Sequence, residues 1–260
     1  ASLFFRQTNV VWICFVAAEH VISRFEKGTM TLNLSPPLPK EVYRPTSLSK
    51  LPHSLYRLIL AALSNLPNLF VVLLPYIVVL SAFIVFVVKN GGVAVGDKQN
   101  HVLALHLPQS LYFCFTAASL SAFWSLSAVG TQLNRYYREG FGGVFSVALA
   151  SCMFVSACAA AAILVYKGTI VHPFLLADNR HFTFYIQRKL LDALRGLGKY
   201  IAVAFYVVSM WILGCQLSDE TRSAACSKLR QLLLAGATAA VLTPSPLLEF
   251  RYFLTPFLIV

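Results

Sequence analysis

The chain has 260 residues, 58% of them apolar and 12% charged, with a formal net charge of +11. Ordinary soluble domains carry roughly 25% charged residues, so this composition excludes a globule surrounded by water. The 21 Lys and Arg are scattered through loops between apolar runs. That pattern reflects membrane topology and lipid headgroups, so membrane lipids are expected as partners and nucleic acid is not.

In chain order, the first predicted span covers residues 8–22. It is the least apolar, because Glu19 and His20 stand near one end. Ionisable residues at membrane depth point to function, whereas a helix end at headgroup level explains them as position. Residues 23–65 read as a Pro-containing cytosolic loop, because Ser35–Pro52 cannot form a continuous helix. Charge-free runs then predict spans over 66–88, 111–129 and 144–166, each able to cross about 30 Å of hydrocarbon as a helix. Between the last of these and the next, residues 167–199 form a predicted lumenal loop. Its Leu190, Leu191, Leu194 and Leu197, interleaved with Arg188, Lys189, Arg195 and Lys199, suit a helix lying on the membrane surface. Further spans follow over 200–217 and 231–248, and another begins at 252 and is cut short. The fold class is therefore all-α, a polytopic transmembrane helical bundle read as one domain. Both ends of the chain look cut from something longer.

Alternation of spans decides which loops share a membrane face. Residues near Arg6, the loop 89–108, the loop 167–199 and the turn 244–249 fall together with nine Lys and Arg, against eleven in 23–65, 130–143 and 218–230. The positive-inside rule assigns the second set to the cytosol.

The unusual polar residues cluster on the first face. Gly96-Asp97-Lys98-Gln99-Asn100-His101 is one group, His172 to His181 a second, and Glu249-Phe250-Arg251-Tyr252 a third. Gly91 to Lys98 fails as a phosphate loop: Asp97 interrupts the Gly-Lys step, Gln99 replaces Ser or Thr, and no strand precedes it. Asp97, Lys98 and His101 either bind a substrate or cap the following span. Arg180 can hold a phosphate while Asp178 orients it or serves as a base; the alternative for Asp178 and Asn179 is an Asx turn and helix cap. Glu249 and Arg251 are two apart, so on a helix they do not face each other and each needs a partner elsewhere. The six cysteines include no CxxC pair and read as apolar packing residues, and no metal-ligand spacing, HExxH or GxSxG occurs.

Four blocks go further than composition and spacing. Phe4-Phe5-Arg6-Gln7-Thr8-Asn9-Val10-Val11-Trp12, Gly96-Asp97-Lys98 with Asn100-His101, His172 to Ile186 and Pro246 to Tyr252 together resemble the dolichyl-phosphate-glucose α-1,2-glucosyltransferases of the endoplasmic reticulum. These enzymes add the last glucose to the lipid-linked oligosaccharide of N-glycosylation. The resemblance implies a multi-pass glycosyltransferase of the GT-C type whose site faces the lumen. It implies dolichyl phosphate glucose as donor, a diglucosylated dolichyl-diphosphate-linked oligosaccharide as acceptor, inversion at the transferred sugar, and neither cofactor nor metal. A carboxylate should deprotonate the acceptor hydroxyl, and a cation should stabilise the leaving phosphate.

The acidic motif expected in the family's first lumenal loop would precede Phe4, so the chain resembles the C-terminal part of such an enzyme. Within it, Asp178, Asp97 and Glu249 are the carboxylates at hand, expected first to support the site or bind substrate, with Asp178 the best candidate for the catalytic base if this part is active by itself. Arg6, Lys98, His101, Arg180, His181 and Arg251 are the expected phosphate and sugar contacts. Two other classes stay open: a non-catalytic partner or regulator of another membrane protein, and a transporter, which the absence of a charge near the centre of any long span disfavours.

Overall fold

The computed structural model describes residues 8–27, 39–45, 47–93, 104–138, 144–170, 182–218, 227–245, 247–248 and 250–259. Its principal helices are α1 (Asn9–Glu26), α2 (Leu51–Ser64), α3 (Leu66–Asn90), α4 (Gln109–Leu120), α5 (Ala122–Arg138), α6 (Val144–Gly168), α7 (Gly198–Leu217) and α8 (Lys228–Leu242). No strand occurs among the described residues. Where the sequence suggested one domain, the contacts divide the chain into two compact units: residues 1–102 with 226–237, and residues 103–225 with 238–260.

Helices α3 and α7 and residues Ser146–Gly168 of α6 are long and apolar enough to cross a membrane. The most apolar stretch of α3 buries nothing within the protein. A helix apolar on every face and exposed along its length is stable only in hydrocarbon or against other apolar protein. At about 1.5 Å per residue its 25 residues reach roughly 38 Å. Pro67 sits in its first turn, and Gly91, at φ 67°, ends it in the left-handed conformation that a Cβ disfavours.

In the first unit, part of the predicted loop 23–65 is folded rather than open. Lys40–Tyr43 is a helical turn, and its Val42 and Tyr43 are buried with Phe25, Ala61 and Leu69 in one apolar cluster. The prolines break the helix, as their missing N–H groups require, but the residues between them still bury apolar surface. A second cluster joins Ile22, Leu51 and Leu229. Beside it, Arg230 donates from Nε to Glu19 at 2.9 Å and from Nη2 to Glu26 at 3.1 Å, and Glu26 also accepts from Arg44. His20 Nδ1 lies 3.2 Å from the Tyr76 hydroxyl. Glu19 thus belongs to an ion network, and its place late in α1 follows from where Arg230 stands.

The second unit departs from expectation at three places. The run 111–129 is not one straight span: α4 and α5 meet at 94°. Thr116, Ser119, Ser121 and Ser125 each donate their hydroxyl to the carbonyl four residues earlier, which weakens and bends a helix. Gln216 of α7 reaches the break and donates to Ser125 Oγ at 2.6 Å and to Ser121 Oγ at 3.1 Å. Gln216→Leu is expected to destabilise the unit by about 1–2 kcal/mol and no more, since both serines keep their carbonyl partners. Thermal unfolding in detergent measures this, and an unchanged midpoint would refute the role given to the amide.

The second departure is the surface helix of the loop 167–199. The chain forms a short helix at Phe182–Tyr185, a wide π-type turn at Ile186–Leu191 and a further turn at Ala193–Gly196. Gly196 has φ 87° and separates these turns from α7. Gln187 is buried and bonds Asp192 at 2.9 Å, and Leu191 is buried while Leu190 and Leu197 are exposed, so these three leucines do not share one stripe. Third, α8 stops at Leu242 instead of running to residue 248, because Thr243-Pro244 cannot extend it. After a 3₁₀ turn at Phe250–Tyr252, a short helix covers Leu254–Ile259.

Candidate functional site

Of the residues the sequence singled out, Arg6, Asp97, Lys98, His101, Asp178, Arg180, His181 and Glu249 lie outside the described residues. Arg251 is described. It is exposed, stands in the 3₁₀ turn, and its guanidinium carbon lies 5.8 Å from the centre of the Tyr252 ring. A guanidinium is a planar fork of donors that matches phosphate and carboxylate oxygens.

The described neighbours of the blocks meet in the second unit. Ala104 N–H donates to the Pro244 carbonyl at 3.2 Å, and His106 N–H to the Thr243 carbonyl at 2.8 Å. Gln109 is fully buried and donates from Nε2 to the carbonyls of Ser245 (3.1 Å) and Leu247 (2.8 Å). At the end of α6, Gly168 packs so closely on the 107–108 turn that a Cβ would stand 2.9 Å from Pro108 Cδ. The segments adjoining three of the four blocks, 96–101, 172–186 and 246–252, therefore come together. The flanks at 104–109 and 243–247 are joined by main-chain and amide hydrogen bonds, and the end of α6 by close packing at Gly168. The fourth block belongs to the first unit, where its Trp12 is buried edge-on to Phe15 at 5.8 Å.

Sequence reading missed His106, Gln109 and Tyr112, all buried at this junction. The His106 and Tyr112 rings meet edge to face at 6.0 Å, and Tyr112 meets Tyr206 of α7 at 5.5 Å. The signal was present. His106-Leu107-Pro108-Gln109 places two polar side chains around a helix-starting proline inside an apolar stretch, and buried polar groups of that kind must find partners.

Among the described residues, no group of three or more His, Cys, Asp and Glu could hold a metal ion, and five cysteines are free thiols. In the first unit, burial opposes the charge on Arg230, but Glu19 and Glu26 outweigh it and hold the pKa above its ordinary value.

This is a polytopic all-α membrane protein in which the described flanks of three polar blocks meet within one helical unit. The chain belongs to the DIE2/ALG10 family, which matches it over residues 1–260. It is 35% identical over 266 residues to the mouse protein named Dol-P-Glc:Glc(2)Man(9)GlcNAc(2)-PP-Dol alpha-1,2-glucosyltransferase, covering 99% of this chain and 52% of that one. The rat protein of the same name is 36% identical over 265 residues, with 99% and 52% covered. The Arabidopsis thaliana protein of that name is 30% identical over 296 residues, with 98% and 55% covered. The chain thus spans about half the length of the curated relatives it matches. No solved structure matches it.

Proposed function

We propose that this chain acts in transfer of glucose from dolichyl phosphate glucose to the diglucosylated lipid-linked oligosaccharide, making the terminal α-1,2 linkage. The observation that carries the reading is its similarity, along nearly all of its length, to proteins with that name. The gathering of three block flanks at one end of the second unit supports it, because a lipid-phosphate donor and a lipid-linked acceptor must meet at one membrane face.

The chemistry follows from the bonds exchanged. A carboxylate takes the proton of the acceptor hydroxyl as that oxygen attacks the anomeric carbon from the side opposite the phosphate. The C–O bond to phosphate breaks, inverting the centre, and dolichyl phosphate leaves as an anion. Asp178, Asp97 and Glu249 are the carboxylates for the first role, worth about 10²–10⁴-fold in rate. Arg6, Lys98, His101, Arg180, His181 and Arg251 are the donors for the phosphate and sugar, where fixed positive charge stabilises the leaving group. We place the site on the lumenal side of the endoplasmic reticulum membrane, supported by the excess of basic residues on the opposite loops.

The test is transfer from labelled dolichyl phosphate glucose to a diglucosylated acceptor in liposomes, by this chain and by the complete product of its gene. Transfer by the complete product, with loss on Asp178→Asn, is the expected result. Absence of transfer by either would overturn the reading and favour a non-catalytic membrane partner.

A further inference from the structure

We propose that Gln109 is a positioning residue: with Phe113 it clamps the segment 245–253 at two points and so sets where Arg251 is presented. Gln109 and Phe113 are four residues apart, one above the other on the same face of α4. The Gln109 amide spends its N–H groups on the carbonyls of Ser245 and Leu247, on either side of Pro246. One turn on, the Phe113 ring meets Phe253 edge to face at 5.8 Å. Arg251 is held between the two contacts, and Phe253 is further tied by its own N–H to the Phe250 carbonyl at 2.9 Å.

The buried state of Gln109 gives the amide its leverage. Its side chain has no exposure, so water competes little for the two hydrogen bonds, and once the amide is gone the Leu247 carbonyl keeps only the longer bond from the Ser245 hydroxyl, at 3.3 Å. A side chain needed only to fill space there would be apolar. An amide that ties two carbonyls 136 and 138 positions away instead fixes the path of the backbone that carries the cation. Placement of such a group must hold to about 0.5 Å for a productive contact.

The inference rests on the proposed reaction only for its functional consequence, so two readouts separate the parts. In the complete protein in nanodiscs, Gln109→Met keeps the volume and removes both donors. Amide exchange at Phe253 and Phe257 should then quicken about tenfold, the loss of one to two buried hydrogen bonds. Exchange in α3 should not change. Phe113→Leu should move the same amides by less, and it serves if Gln109→Met fails to fold. The KM for dolichyl phosphate glucose should rise about tenfold in Gln109→Met with kcat less affected, and Arg251→Ala should make the two changes less than additive. Unchanged exchange at Phe253 in both variants would overturn the clamp whatever the activity. Faster exchange with an unchanged KM would keep the clamp and refute the role of Arg251 in holding the donor.

Discussion

Gly198→Ala is expected to abolish ordered packing between the start of α7 and the wide turn before it, with a loss of about 3 kcal/mol or more. Gly198 is buried, and a Cβ there would drive into the Leu190 carbonyl oxygen and stand 3.1 Å from that of Leu191. Both obstacles are backbone, so no rotamer change relieves them. Either α7 must shift, or the turn at Ile186–Leu191 must unwind, taking with it the Gln187–Asp192 hydrogen bond. That turn follows the Asp178–His181 block in sequence, so the glucose transfer proposed above should fall along with stability.

Gly214, further along the same helix, is the matched control. A Cβ there meets nothing within 4 Å, and Gly214→Ala should stabilise by about 0.5–1 kcal/mol through reduced backbone freedom of the unfolded chain. Unfolding midpoints of the two variants in one detergent decide the matter. Equal midpoints would mean that the close approach at Gly198 does not exist.

Arg230→Met should cost about 2–3 kcal/mol, the second largest effect. Its guanidinium, with 14% of the side chain exposed, serves two carboxylates that are 27% and 21% exposed. Among the described residues, removing it leaves Glu19 with no cation and Glu26 with Arg44 only, and unpaired charges with restricted access to water are expensive. Partial exposure keeps the figure below the range for a fully buried pair. Arg230→Lys should recover less than half of the loss, because one ammonium cannot fork to two carboxylates at once. Adding Glu19→Gln to Arg230→Met should restore part of the stability, which a packing defect would not.

The pH dependence carries a definite sign. The pKa of Arg230 is raised in the folded state, so its contribution is complete below its unfolded value, itself far above neutral, and is lost only as pH rises through the folded value. Between pH 5 and 9 the guanidinium therefore adds no slope to stability. Urea-free thermal unfolding across that range compares Arg230→Met with the parent chain. A difference between them that shrank steadily toward pH 9 would contradict the charge assignment.

The long helices were legible because one repeated property defines them. Leu66–Asn90 has no charge until Lys89, a run long enough to cross hydrocarbon as a helix. The polar blocks were legible because an acid, an amide or a base is conspicuous beside such runs. Ser121 was not conspicuous. Serine is tolerated within apolar helices, and the partner it finds at the 94° bend, the Gln216 amide, arrives from 95 residues away. Gln109 was overlooked for a similar reason: a lone amide at a helix start reads as a cap until its carbonyl partners are seen. Gly198 carries no sequence signal at all, since its necessity lies in the path of the Leu190 backbone.

By itself, then, the sequence determined the all-α membrane class, the positions of the most apolar helices and the family, because apolar run length and motif wording are local properties. The tertiary structure alone decided where α4 breaks, why Glu19 can sit late in α1, and how the flanks of three polar blocks come together. Those outcomes are set by hydrogen bonds and ion pairs between residues far apart in the chain, and such partners have no fixed spacing to read.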